Sequence, residues 1–488
     1  MLTKNDKKSW ILPLVILIVL SYFPLFLHLD KLPIRIWDEA RLAVNAIEMT
    51  RSGNTLVTFF DGEPEMWNTK PPFLIWLQAA CINIFGINEL SVRLPSALAA
   101  LFTILGLVMF SAKYFKDIWL GIIAALVLLT SYGYVEHHGT RTGDYDSLLT
   151  LLTTCYCLFW FAYIEYGKLK YLHFFFMAVT IAVLTKTVQG LFFIPALLIY
   201  AFAVKNKFKV IIKNKWVYID SLIFILIICS YYITREYYNP GYLESVNQNE
   251  LGGRFLNVIE NHKHGFMFYF DNLINVRFSN WYILLLPGLV VGLTIKNKHI
   301  RNISIFCSIN IVAYWLIISA AQTKLEWYDL PLFPFLSLLA SIFIYWIFIF
   351  LKTNKEIALN FSLSLIPYLF LFFIFLSPYE KMIGKVYFPE EKYFVDNRIL
   401  YFMRNVSEDP SPARTYDVCW DDSQKAHILF YVYKLQDMSK RCFVVNYKNL
   451  KRGQKVIAMK QSEKEYIESN YSYDVLETYY EIKTYLIK

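Results

Sequence analysis

The sequence predicts an all-α polytopic membrane protein with a small C-terminal α/β soluble domain. Three observations carry that reading. Of 488 residues only 18% are charged and 56% are hydrophobic, against roughly 25% charged and 45–50% apolar in soluble domains. The apolar residues fall in runs that reach the roughly 20 residues needed to cross a bilayer core of about 30 Å. Lysines cluster at alternate junctions between these runs, the pattern of loops on one face of a membrane. The net charge of +9 is therefore a topology signal, and nucleic acid is not expected as a partner.

Candidate spans cover residues 11–29, 94–112, 117–135, 147–165, 171–185, 190–204, 217–234, 281–295, 302–320, 329–351 and 357–376. That is about 11 spans, within a range of about 10–13. Lys4, Lys7 and Lys8 precede the first run, and no small-residue cleavage pattern follows it, so it reads as a retained signal anchor. One set of loops is short and basic, around Lys113 and Lys116, Lys168 and Lys170, Lys205 to Lys215, Lys296 to Arg301, and Lys352 and Lys355. The other set, 30–93, 136–146, 235–280 and 321–328, is longer or acidic. The positive-inside rule puts the basic set and the N-terminus in the cytoplasm of a cell with a cytoplasmic (inner) membrane. Segment 72–85 is apolar but too short to span, and counting it would reverse every later loop; it reads as interfacial or re-entrant. Segment 38–52, with Leu42, Val44, Ala46, Ile47 and Met49, reads as a second, amphipathic interfacial helix in the first outer loop.

From residue 377 the chain turns polar, with short alternating runs at 442–447 and 455–459. The expected domains are thus a transmembrane catalytic domain over 1–376 and an extracytoplasmic soluble domain over 377–488. Of the seven cysteines, Cys81, Cys155, Cys157, Cys229 and Cys307 lie in apolar stretches and read as small buried hydrophobes. Cys419 and Cys442 could pair if their domain lies outside the cytoplasm. No cysteine spacing suggests zinc, and there is no internal repeat.

The polar residues that interrupt this pattern gather in the outer loops. Trp37-Asp38-Glu39-Ala40-Arg41 opens the first interfacial helix, where acids also suit the helix dipole. Lys70, before Pro71-Pro72, reads as a snorkelling lysine or a binding cation. Glu136, His137, His138, Arg141, Asp144 and Asp146 crowd eleven residues before a span. Asp146 suits a helix cap, and His137 and His138 are weak candidates for a divalent metal ion with Asp144 or Asp146, since adjacent histidines point apart in regular structure. Lys186 and Lys324-Leu325-Glu326-Trp327-Tyr328-Asp329 break two further apolar stretches. Ionisable groups at membrane depth are costly and are functional candidates by default.

Carboxylates and cations on one face suit transfer of a group held by a lipid phosphate. Lysine and arginine hold the phosphate and stabilise its charge as it leaves. A carboxylate takes the proton of an acceptor hydroxyl. Phosphate is a good leaving group and needs no general acid, whereas a glycosidase would show a second positioned acid.

The ordered set Asp38-Glu39-Ala40-Arg41, Lys70-Pro71-Pro72, Phe85-Gly86, Arg93-Leu94-Pro95-Ser96, Arg141-Thr142-Gly143-Asp144-Tyr145-Asp146, Thr185-Lys186 and Lys324-Leu325-Glu326-Trp327-Tyr328-Asp329-Leu330-Pro331 with Pro334 resembles the GT-C glycosyltransferases. The likeness is to the bacterial relatives of protein O-mannosyltransferase and lipid A aminoarabinose transferase, the family-39-like group, and it runs over residues 10–350. It implies a GT-C fold and an inverting transfer of sugar from a polyprenyl-phosphate donor to a lipid, glycan or protein acceptor among membrane lipids at the outer face. It implies Asp38, beside Glu39, as catalytic base and Asp146 or Asp144 as a second essential carboxylate. Arg41, Lys70 and Tyr328 would grip the lipid phosphate, with Lys186, Lys324 and Arg141 nearby. The aminoarabinose enzymes carry an acid before the lysine matching Lys70. Here Thr69 stands there, which argues against a metal site of their kind. The alternative reading is a transporter or flippase of lipid-linked or anionic solutes. Such proteins place charges at mid-membrane in repeated halves, a pattern this chain lacks.

Overall fold

The computed structural model describes residues 10–252, 262–354, 356, 363–387, 394, 397–411 and 414–488. Lys4, Lys7, Lys8 and Lys355, and the start of the span expected at 357–376, lie outside them. Among the described residues seven helices are long and apolar enough to cross a membrane: Glu89–Tyr114, Tyr145–Tyr166, Leu169–Leu191, Lys215–Tyr238, Lys298–Ala320, Glu326–Thr353 and Leu363–Lys385. The pair Phe268–Arg277 and Tyr282–Thr294, bent by 112°, makes an eighth if it is one broken span. Among the described residues the expected count of about eleven is not confirmed. Among the described residues each expected run is helical, but Ile11–Leu25, Trp119–Leu129 and Ile194–Val204 are too short to cross by themselves. Residues 72–85 form a short apolar helix, Phe73–Phe85.

The chain falls into two compact units. One comprises Met1–Leu27, Met66–Leu74 and Pro95–Val386, the other His28–Glu65, Ile75–Leu94 and Tyr387–Lys488. Residues His28–Glu65 and Ile75–Leu94 thus cluster with the C-terminal segment, a grouping that no contiguous boundary in the sequence expresses.

The first unit is the helical one. Its helix ends follow local chemistry. Tyr145–Tyr166 stops at Gly167, whose φ of 67° is left-handed and whose N–H reaches the Tyr163 carbonyl at 2.8 Å. Asn214 and Asn297 cap the starts of Lys215–Tyr238 and Lys298–Ala320 by accepting backbone N–H groups of Trp216 and His299. The core is dense in aromatic rings: Phe161 meets Phe306 at 4.9 Å between centroids, and Phe193 meets Tyr314 at 4.5 Å. Gly288 and Gly292, one turn apart on Leu285–Thr294, let that helix lie against Leu339 and Ser304, where any Cβ would collide.

The basic loops meet at one end of this unit. Tyr114 touches Tyr166 and His299 (5.7 and 4.9 Å between centroids), Asn302 donates to Glu165 at 2.9 Å, and Lys205 pairs with the same carboxylate at 2.9 Å.

The second unit holds a five-stranded mixed sheet in the order Val444–Val445, Asp417–Cys419, Lys455–Ala458, Ile482–Ile487, Tyr473–Tyr479. The first three strands run parallel and the last two pairings are antiparallel. Cys419, Val456, Ala458, Ile467, Tyr485 and Ile487 form its small core. The amphipathic helix Asp38–Ser52 packs on helix Ala426–Asp437, where the Tyr433 hydroxyl donates to Glu48 at 2.8 Å. Cys419 and Cys442 are both buried and both free thiols; burial pushes the Cys442 thiol up to about 12.

Candidate active site

In the helical unit the polar residues collect at the start of Tyr145–Tyr166. Ser147 donates from its hydroxyl to the Ser96 carbonyl at 2.7 Å, and Ser96 donates to the Asp144 carbonyl at 2.9 Å, which pins the first turn. Asp146 then faces Lys186, the last residue of helix Leu169–Lys186, at 2.6 Å between Oδ1 and Nζ. Both side chains are almost fully buried, 4% and 5% exposed. A buried pair survives only where geometry and partners satisfy it, and Lys186 gains a second partner in the Tyr328 ring, 5.0 Å away.

The next residue, Thr187, has φ 47° and ψ −131°. A β-branched residue at positive φ is strained, and such strain gathers where surrounding structure imposes it for a purpose. Here it turns the chain directly after the lysine.

Lys70 comes to the same helix start. Its ammonium lies 5.6 Å from the Tyr145 ring and pairs with Glu250 at 2.9 Å. Asn68 donates to the Tyr145 hydroxyl at 3.0 Å, and the Tyr242 hydroxyl donates to the Thr69 carbonyl at 2.7 Å, so the segment is held on both sides. Two ammonium groups therefore flank one helix N-terminus, whose dipole already favours an anion.

Asp144, one residue before the helix, accepts from the Thr142 hydroxyl at 2.5 Å and lies 3.2 Å from His138 Nδ1. Burial works against its charge, but the His138 imidazole and the Thr142 hydrogen bond outweigh it and hold the carboxyl below its ordinary range. The His138 ring stacks on Trp327 with 3.7 Å between centroids, which fixes its direction. His138 and Asp144 are donor types that a divalent ion takes, though two donors alone do not make its shell. The His137 ring lies 5.5 Å from that of His138, tilted by 53°.

Other expected cations have different partners. Arg141 donates to the carbonyls of Pro24 and Leu27 at 2.9 and 2.8 Å, closing the end of helix Ile11–Leu25. Lys324 donates to the carbonyls of Ala321 and His264 at 2.5 and 3.2 Å, and burial pushes its ammonium pKa down. One centre went unread in the sequence. Arg277, 1% exposed, pairs with Asp329 at 2.9 Å and with Glu136, and donates to the Gly133 carbonyl at 3.0 Å. Arg277 joins the loop that carries His138 and Asp144 to the turn that carries Trp327 and Tyr328. Its only sequence signal is an arginine between apolar runs, at Val276-Arg277-Phe278.

In the second unit Asp38 and Glu39 differ sharply. Asp38 is exposed on the first turn of Asp38–Ser52, after Trp37 at φ 69°, and has no hydrogen bond or ion pair among the described residues. Glu39 is 1% exposed and takes both Arg93 Nε and Nη2, at 2.7 and 2.9 Å, plus the Arg35 N–H at 2.7 Å. Arg93 also donates to the carbonyls of Leu29, Leu32 and Pro33, so this pair fastens the loop ahead of the helix. Arg41 forms a two-pronged bond with Glu65 at 2.7 and 2.8 Å and lies over the Phe60 ring at 4.1 Å.

Comparison with known proteins places these residues in a family context. The family described as dolichyl-phosphate-mannose-protein mannosyltransferase matches residues 69–233, the stretch from Thr69 through Asp146 and Lys186. The crystal structure of ArnT from Cupriavidus metallidurans bound to undecaprenyl phosphate superposes with a TM-score of 0.69, covering 98% of each chain at 14% identity. The chain has the GT-C fold. Curated sequences also include two relatives. A putative mannosyltransferase of Bacillus subtilis (strain 168), YycA, is 31% identical over 31% of this chain and 22% of its own length. A protein of Aquifex aeolicus (strain VF5), described as uncharacterized, is 23% identical over 69% of this chain and 64% of its own length. The chain thus spans less than two thirds of the length of these relatives.

Proposed function

We propose that this chain is an inverting membrane glycosyltransferase that moves a sugar from a polyprenyl-phosphate donor to an acceptor hydroxyl. The carrying observation is the pair of ammonium groups, Lys70 and Lys186, at one helix N-terminus, each held by a carboxylate and an aromatic ring. That arrangement suits a phosphate. Glu250 and Asp146 keep the two cations in place before donor binds, and Tyr328 lies beside Lys186. The family match over 69–233 and the lipid phosphate bound by the ArnT homologue support the same donor class.

In the reaction the acceptor oxygen forms a bond to the anomeric carbon as the bond from that carbon to the phosphate oxygen breaks. Attack opposite the leaving group inverts the centre. The electron pair leaves with the polyprenyl phosphate, whose charge Lys70 and Lys186 stabilise. The acceptor proton goes to Asp38, the exposed carboxylate without a partner among the described residues. Asp144 and His138 orient the loop before the helix and suit a divalent ion, which would lend Lewis acidity to the phosphate.

The transfer takes place on the extracytoplasmic face, with the basic loops in the cytoplasm. The gathering of those loops at the far end of the helical unit supports this direction. Purified protein in sealed phosphatidylcholine proteoliposomes, given polyprenyl-phosphate sugars and assayed by mass spectrometry, tests the proposal. The Asp38→Asn variant should insert normally and lose transfer. Lipid-linked solute crossing the membrane, with no transfer product from the wild type, would favour the transporter instead.

A further inference from the structure

Helix Tyr145–Tyr166 carries a second charged centre at its other end, about 28 Å from Asp146 at 1.5 Å per residue. Glu165 there accepts from the Tyr200 hydroxyl at 2.8 Å and the Asn302 amide at 2.9 Å, and pairs with Lys205 at 2.9 Å. Its charge is therefore neutralised and its oxygens occupied. Beside it opens a cavity of about 530 Å³, lined by Glu165, Gly167, Lys207, Lys213 and Asn214 among others. Lys207 and Lys213 make no ion pair among the described residues. Asn214 caps helix Lys215–Tyr238, whose positive end opens at the same place. Val210 on the cavity wall and Phe208 and Ile212 beside it are exposed and apolar.

From this we infer that the cavity is a binding site for a phosphate group, of the kind carried by an anionic membrane lipid or a free phosphate ester, separate from the site of sugar transfer. With Glu165 neutralised, two lysines and a helix N-terminus leave the cavity cationic. Its volume falls within the range of small-ligand sites. Basic pockets between spans at the cytoplasmic surface suit lipid headgroups, and the apolar side chains at the rim suit the first carbons of acyl chains.

The full-length protein in nanodiscs of phosphatidylcholine, with and without phosphatidylglycerol, gives the test, read by native mass spectrometry of retained lipid. A parallel arm adds inorganic phosphate to phosphatidylcholine nanodiscs and reads the thermal midpoint. Each lysine near an anionic headgroup is worth roughly a factor of five, so Lys207→Gln with Lys213→Gln should cut retention on the order of twentyfold. Lys209→Gln with Lys215→Gln removes the same charge from residues that do not line the cavity, and should keep the wild-type preference. Retention of phosphatidylglycerol that depends on Lys207 and Lys213 identifies a lipid headgroup. A midpoint raised by inorganic phosphate with the same dependence identifies a free phosphate. If neither ligand distinguishes the wild type from the Lys207/Lys213 variant, or the control variant loses as much, the site is refuted. These lysines lie outside the transfer machinery, so the outcome is independent of whether sugar transfer is found.

Discussion

Asp146 Oδ1 and Lys186 Nζ lie 2.6 Å apart, from helices Tyr145–Tyr166 and Leu169–Lys186, with almost no exposure of either side chain. Removing one partner of such a pair leaves a buried charge uncompensated, at a cost of about 3–5 kcal/mol. Asp146→Asn and Lys186→Met should each lower the thermal midpoint in detergent and abolish transfer. The double variant should regain most of the stability, because no lone charge remains, and none of the activity. Activity restored along with stability would show the pair to be purely structural.

Lys70 pairs with Glu250 at the same helix start. If Lys70 holds the donor phosphate, Lys70→Ala removes a charge-assisted hydrogen bond worth roughly 1.5–3 kcal/mol, so the donor KM should rise about ten- to a hundredfold. The acceptor KM should change little. Glu250→Gln should leave the donor KM unchanged or lower it, since it frees the ammonium. Steady-state kinetics with donor and acceptor varied separately decides the matter.

Asp38 and Glu39 are neighbours in sequence with opposite surroundings, one exposed and one 1% exposed on Arg93. Asp38→Asn should reduce kcat by about 10²–10⁴, the usual contribution of a general base, without moving the midpoint. Glu39→Ala should strand Arg93 and destabilise the fold by about 3–5 kcal/mol. Thermal unfolding beside single-turnover rates separates the two effects. A Glu39→Ala protein with wild-type stability and no activity would reverse the assignment.

His427 sits buried on helix Ala426–Asp437, its ring 5.2 Å from that of Trp420. Burial pushes its pKa down to about 4, against which the charge of Asp422 acts only weakly. The unfolded chain, with a histidine near 6.5, binds the proton first as pH falls. The stability that this neutral ring contributes is complete above pH ~6.5 and is lost as pH falls towards ~4. The loss should amount to roughly 2–3 kcal/mol, and His427→Phe should flatten that part of the pH profile. A profile unchanged by the substitution would mean that the ring is solvated in the folded protein.

The helical class, the helices Asp38–Ser52 and Phe73–Phe85 and the polar C-terminal segment were legible because each depends on local pattern: run length, the 3.6-residue period and composition. Lys70, Asp146 and Lys186 stood out for a similar reason, as charges where a bilayer makes charge expensive. The count of spans was less legible. Ile11–Leu25 and Trp119–Leu129 end sooner than their apolar runs, because helix ends are set by caps and breaks that a hydropathy pattern does not contain.

What the sequence by itself determined is the apolar or polar character of each segment and the inventory of charges that interrupt the apolar runs, since both follow from residue type and neighbours along the chain. What only the tertiary structure decided is which of those charges already have partners. Arg141 ends on the carbonyls of Pro24 and Leu27, Arg41 on Glu65, and Arg277 on Asp329. Each pairing joins residues distant along the chain, and whether a charge is free for chemistry depends on folding contacts that no local spacing encodes.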